Sequence, residues 1–174
     1  QPAGLWKETS NRPYVQDSGG ALYRRSLYTY WKRSVPPPNL FALDAPTRET
    51  CITRRQRTNT PLMALVLMND PTFVEAARSL AVRTMLRDAV DDAARVEWMF
   101  TAVTARQPGP EELETMVQLI ADQRIRFRGR PGDAGKLLSV GQSPLDQRVD
   151  VVEQAAWTAL ASVLLNTDEA ITRE

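Results

Sequence analysis

Two helix starts fall within ten residues of each other, and they leave the chain few ways to fold around them. Thr60-Pro61 and Asn69-Asp70-Pro71 each place a capping side chain directly before a proline. A threonine or aspartate oxygen accepts a backbone N–H at a helix N-terminus. Proline suits the first helical position, where its missing N–H has no intrahelical partner to lose. The spacing predicts one helix over 61–69 and another over about 71–88. The first is apolar nearly all round (Leu62, Met63, Leu65, Val66, Leu67, Met68), so it is expected to be central and buried. The second carries its apolar face on Phe73, Val74, Ala77, Leu80, Ala81 and Met85.

The rest of the chain reads in the same terms. Asp91 or Asp92 caps a third helix, with Val96, Met99, Phe100 and Val103 at i, i+3, i+4 and i+7. Gln107-Pro108-Gly109-Pro110 ends it. Pro110 opens a fourth helix whose Glu111, Glu112 and Glu114 complement the dipole and whose stripe is Leu113, Met116, Val117, Ile120 and Phe127. A short helical candidate covers 134–140. A last helix, about 147–165, buries Val149, Val152, Ala156, Trp157, Leu160, Ala161 and Leu164. The expected fold is mainly α, a helical bundle of about five helices with an irregular, proline- and aromatic-rich N-terminal third. The 174 residues read as a single domain, a fragment of a longer protein. Within it, 1–59 is a basic, aromatic arm and 60–174 the helical bundle. In the arm, residues 27–31 suit a short strand while Tyr23, Leu27 and Tyr30 equally suit one helical face, Pro36-Pro37-Pro38 enforces an extended spacer, and 41–46 reads as loop.

Composition narrows the chemistry. The chain contains no histidine and one cysteine, Cys51. A Ser-His-Asp or Cys-His nucleophile and a His-ligated zinc or haem are therefore excluded within it, as is an intrachain disulfide. Cys51 is expected to be a small buried hydrophobe. The longest apolar run, 61–68, is too short to span a bilayer. Net charge is +1, but residues 1–60 hold ten Lys+Arg against four Asp+Glu, and residues 61–174 hold twelve against seventeen. That polarity either steers an anionic partner or lets the two parts attract each other. With a pI near 8.1 and an acidic second part, nucleic acid is not an expected partner.

Two constellations are candidate sites. Arg54, Arg55, Arg57, Asn59 and Thr60 lie just ahead of a helix N-terminus, whose free N–H groups favour anions. Guanidinium forks bind sulfate, phosphate or carboxylate bidentately. The alternative is that these arginines pair with Asp44, Glu49, Asp70 or Glu75 and tie the arm to the helices. The second constellation is an aromatic platform of Tyr28, Tyr30 and Trp31, with Tyr23 nearby and Arg24, Arg25, Lys32 and Arg33 interleaved. It suits ring stacking, or else the cover of a core edge. No carboxylate pair has a spacing that demands acid–base work, so no catalytic residue and no metal ligand is assigned.

The string LYRRSLYTYWKRSVPPPNLFALDAPTRETCITRRQRTNTPLMALVLMNDPTFVEAARSLA resembles one family, the planctomycete-type C-terminal domain of unknown function 1553, or PSD family. The opening QPAGLW and the closing LLNTDEAITRE resemble its flanking motifs, so the likeness spans essentially the whole chain. The resemblance implies an uncharacterised accessory or interaction module of a large exported multidomain protein, periplasmic or at the cell envelope. It implies upstream domains of the same polypeptide as partners and an association with anionic, sulfated polysaccharide. It also implies haem c elsewhere in the parent protein, in a cytochrome c-like segment, with no cofactor in this chain. The alternative is the C-terminal portion of an enzyme or haem-linked redox protein acting on complex polysaccharides, its active site completed upstream. The family has no established catalytic residues to carry over.

Overall fold

The predicted caps form. The Asp70 carboxylate accepts from the Thr72 N–H at 2.9 Å, and that of Asp91 accepts from Ala94 at 2.9 Å. These contacts belong to a computed structural model that describes residues 4, 5, 7, 14–32, 34–54 and 56–172. Its described residues hold eight α-helices: α1 Pro38–Ala42, α2 Pro61–Asn69, α3 Pro71–Met85, α4 Asp92–Thr104, α5 Pro110–Gly129, α6 Pro131–Leu138, α7 Val151–Leu165 and α8 Asp168–Ile171. The fold is mainly helical, as expected, but the described residues hold eight helices where about five were expected. The chain divides into two compact units, 1–66 and 67–174, and the division falls within α2.

The first unit is built from turns. Short 3-10 helices run over Gly19–Tyr23 and Ser26–Tyr28, and an isolated antiparallel bridge joins Lys32 to Val35. The strand reading of 27–31 is not met among the described residues. A ladder cannot extend past the bridge, because Pro36, Pro37 and Pro38 have no N–H to donate. Pro38 opens α1, so Phe41 and Ala42 are helical instead of loop. Further on, the Asp44 carboxylate accepts from both the Thr58 N–H (2.7 Å) and the Thr58 hydroxyl (2.8 Å), closing the 44–58 segment into a loop. Asp44 has φ 57°, a left-handed conformation that aspartate tolerates better than most residues.

The second unit is organised around α7. Its residues Gln154, Ala155, Ala156, Trp157 and Thr158 are consecutively buried, which only a helix covered on all sides can achieve. Ala155, Ala156 and Ala161 keep its surface narrow, so α3, α5 and α6 all pack against it. One core joins Ala77 and Ala81 of α3, Val96, Met99 and Phe100 of α4, Met116 and Ile120 of α5, and Trp157, Leu160, Ala161 and Leu164 of α7. A smaller one joins Phe127, Ala134, Leu138, Ala155 and Ala156. The helix expected to be central, α2, is not. Among its residues Met63 is buried, whereas Leu62, Leu65 and Met68 are exposed. An apolar surface all round marks a helix that can be buried, but the alanine-rich α7 takes the middle position because neighbours can approach it more closely.

A buried charge pair also shapes this unit. Glu75 and Arg78, one helical turn apart on α3, are 8% and 4% exposed. The Arg78 guanidinium donates to the carbonyls of Leu138 and Ser143 and to the Ser143 hydroxyl. The Glu75 carboxylate accepts from the N–H groups of Gln142 and Ser143. Together they fasten the loop after α6. Gly141 in that loop has φ 93°, and a Cβ there would lie 2.5 Å from Glu75 Oε2, so glycine is required twice over.

Candidate functional site

In the first unit, Arg54 is exposed and makes no ion pair among the described residues. Arg57 and Asn59 are exposed yet engaged with neighbours. Arg55 lies outside the described residues. The Thr60 hydroxyl accepts from the Met63 N–H at 3.2 Å, the capping role its position before Pro61 implies. Of the carboxylates weighed as partners, Asp44 holds Thr58, Asp70 caps α3, and Glu75 holds Arg78 and the loop after α6.

The aromatic residues separate by environment. Tyr28 and Tyr30 are 66% and 68% exposed, and Trp31 is half-buried. The Arg48 guanidinium sits over the Trp31 ring, 4.7 Å from its centroid. That stacking is a cation–π contact which no spacing rule reveals, since the residues lie far apart in sequence. The Trp31 indole N–H is buried without a hydrogen-bond partner among the described residues. Cys51 is exposed, not buried, because it sits in the loop closed by Asp44 and Thr58. The residues present do not fit a haem c: thioether attachment needs two cysteines and a histidine, and Cys51 stands alone. No group of three metal-ligating side chains gathers among the described residues. No described helix is long and apolar enough to cross a membrane.

In the second unit the charged residues form networks that sequence spacing does not show. Arg124 of α5 donates to Asp92 of α4 and to Glu153 of α7, joining three helices. The hydrogen bond from Arg124 holds the Asp92 carboxyl below its ordinary value, against the opposing pull of burial. Arg106 spans Glu112 at 2.7 Å and Glu169 at 3.0 Å beside a cavity of about 570 Å³. Hydrogen bonds from Arg106 first, and then from the Gly109 N–H, pull Glu112 from its usual 4.5 to about 2. The hydrogen bond from Arg148 likewise lowers Asp146 from 3.8 to about 2. Arg106, Arg124 and Arg148 are each matched by carboxylates: the first two tie helices together and the third braces the loop before α7, and these networks leave little charge for a ligand.

The sign of the linkage follows. Carboxyl groups whose folded values are depressed contribute stability above their unfolded values and lose it as pH falls through the folded ones. For Glu112 that window runs from 4.5 down to about 2. Stability is expected to fall over that interval, and Arg124→Met should remove the share owed to Asp92. The stability gap between wild type and Arg124→Met, measured by urea unfolding at pH 6, 4 and 2, is expected to narrow as pH drops. A gap that stays constant would contradict the assignment.

No curated protein and no solved structure matches the chain. A family model does, over residues 2–120: PSD1, protein of unknown function (DUF1553). The match takes in the Asp44–Thr58 loop, Thr60-Pro61 and Asp70-Pro71, and it stops before LLNTDEAITRE. With about two thirds of its length matched, the chain belongs to the PSD1 family of proteins of unknown function, DUF1553.

Proposed function

We propose that the chain is a non-catalytic binding module whose first unit recognises an anionic saccharide or the anionic face of a partner domain. Arg54, Arg55, Arg57, Asn59 and Thr60 provide the contact, with Tyr28, Tyr30 and Trp31 as flanking aromatic surface. The observation that carries this reading is the exposed Arg54 side chain, which no carboxylate neutralises among the described residues. It lies in a segment with ten Lys+Arg against four Asp+Glu over residues 1–60. An arginine left without an internal partner keeps its bidentate fork available to an incoming sulfate or carboxylate. Arg48 over Trp31 gives the same region a fixed cation next to an aromatic surface. The exported, envelope-associated setting, the upstream domains as partners, and a haem held in another segment of the parent protein belong to the same proposal, and the family resemblance supports them.

Calorimetric titration with sulfated, carboxylated and neutral oligosaccharides tests it. Saturable binding is expected for the anionic sugars alone and should weaken steeply with added salt. Arg54→Ala and Arg55→Ala should each weaken it by roughly tenfold without unfolding the protein, as expected for one lost charge-assisted contact. Equal binding of neutral and anionic sugars, or none of either, would overturn the proposal.

A further inference from the structure

A second place where arginines lack carboxylates lies in the other unit, around Trp98. This indole projects from α4 and packs on one side against the main core. Two guanidiniums lie against its ring, Arg87 at 4.5 Å and Arg83 at 5.9 Å from the centroid. Both arginines are exposed. Arg83 sits in the last turn of α3, and Arg87 follows one residue after the Leu86 cap, its N–H bonded to the Thr84 carbonyl. The backbone therefore fixes where both side chains start.

Arg78, Arg95, Arg106, Arg124, Arg128 and Arg148 each meet a carboxylate. Neither Arg83 nor Arg87 does so among the described residues, although the unit is acidic overall. Arg126 and Arg130 also lack a carboxylate among the described residues, but Arg83 and Arg87 are the two that converge on one ring. A guanidinium stacked on an indole keeps its in-plane N–H edge free to donate. Two like charges held on one ring repel each other, and an anion bridging both would remove that repulsion.

We propose that Arg83, Arg87 and Trp98 form an anion-binding site for a tetrahedral oxyanion, sulfate or phosphate, free or carried as an ester on a larger ligand. The two forks hold the oxyanion, and Trp98 fixes their spacing. The site is independent of the Arg54 region and does not require that region to bind anything.

The test follows the indole N–H resonances of the four tryptophans by NMR in the full chain, with Trp98 assigned from Trp98→Phe. Inorganic sulfate, inorganic phosphate and glucose 6-phosphate are titrated against sodium chloride at matched ionic strength. The Trp98 signal is expected to move saturably with the oxyanions and not with chloride. The double variant Arg83→Gln/Arg87→Gln should weaken this by roughly tenfold or more, as expected for losing charge-assisted hydrogen bonds. Arg54→Ala should leave it unchanged, which separates this site from the one proposed above. Tighter binding of glucose 6-phosphate than of inorganic phosphate would assign the ester as the source, and the reverse would assign the free ion. A Trp98 signal that does not move, moves equally with chloride, or responds unchanged in the double variant would overturn the site.

Discussion

Arg78→Ala is expected to cost about 3–5 kcal/mol of folding stability, the usual penalty for stranding one member of a buried ion pair. Arg78 is 4% exposed, and its guanidinium is bonded to the Leu138 and Ser143 carbonyls and the Ser143 hydroxyl. Truncation leaves those acceptors buried without their donor, and leaves the Glu75 carboxylate, still bonded to the Gln142 and Ser143 N–H groups, without its counter-charge. For a chain of this length, a loss of that size lowers Tm by roughly 10 °C. Arg78→Lys keeps the charge but cannot reach both carbonyls with one ammonium, so an intermediate loss is expected. Urea unfolding of wild type, Arg78→Ala and Arg78→Lys measures all three. A loss under about 1 kcal/mol for Arg78→Ala would mean that water takes over the freed partners, as it does at exposed pairs. Hydrogen exchange adds a spatial check: the loop at 139–143 should lose protection first, because it depends on this pair.

That residue also shows where sequence reading stops. The helix starts were legible because capping is local. Asp70, Asp91 and Pro110 act within one turn, and each helix begins where its cap places it. The last long helix starts at Val151, a few residues later than periodicity implies, because Asp150 accepts from the Val152 and Glu153 N–H groups and so sets the boundary. α1 and α8 escaped notice because a helix of four or five residues contains barely one period. Burial of α2 was misjudged for a different reason. Composition says which surfaces are apolar, while packing decides which helix has neighbours on every side, and Ala155, Ala156 and Ala161 won that place for α7.

The site residues follow the same division. Thr60 was readable as a cap, and it caps. The Asp44–Thr58 closure and the Arg48–Trp31 stack join residues fourteen or more apart, with no periodic signal between them. One clue to the Glu75–Arg78 pair was present. Arg78 falls within the stripe of Val74, Ala77 and Ala81, and an arginine on a core-facing stripe implies a buried partner. The spacing of Arg83 and Arg87, i and i+4 at a helix end, is visible in the sequence. Their convergence on Trp98 depends on how α4 packs beside α3, which only the fold determines.

Trp157→Ala is the second large loss, expected at about 3–5 kcal/mol. The ring is 1% exposed and lies in a core shared with α3, α4 and α5, so its removal opens a void that no single neighbour can fill. Trp157→Phe retains an aromatic ring in the same place and should cost less, because a smaller cavity remains. The pattern of the loss distinguishes this core position from the Arg78 clamp. Trp157→Ala should lower hydrogen-exchange protection in α3, α4, α5 and α7 together, since all four helices contribute side chains to that core. The urea midpoint should fall while the m-value stays near that of wild type, which reports an unchanged area exposed on unfolding. A loss confined to α7, with α3 to α5 as protected as before, would mean that these helices hold each other without it. α7 would then be a cover on the bundle and not its centre.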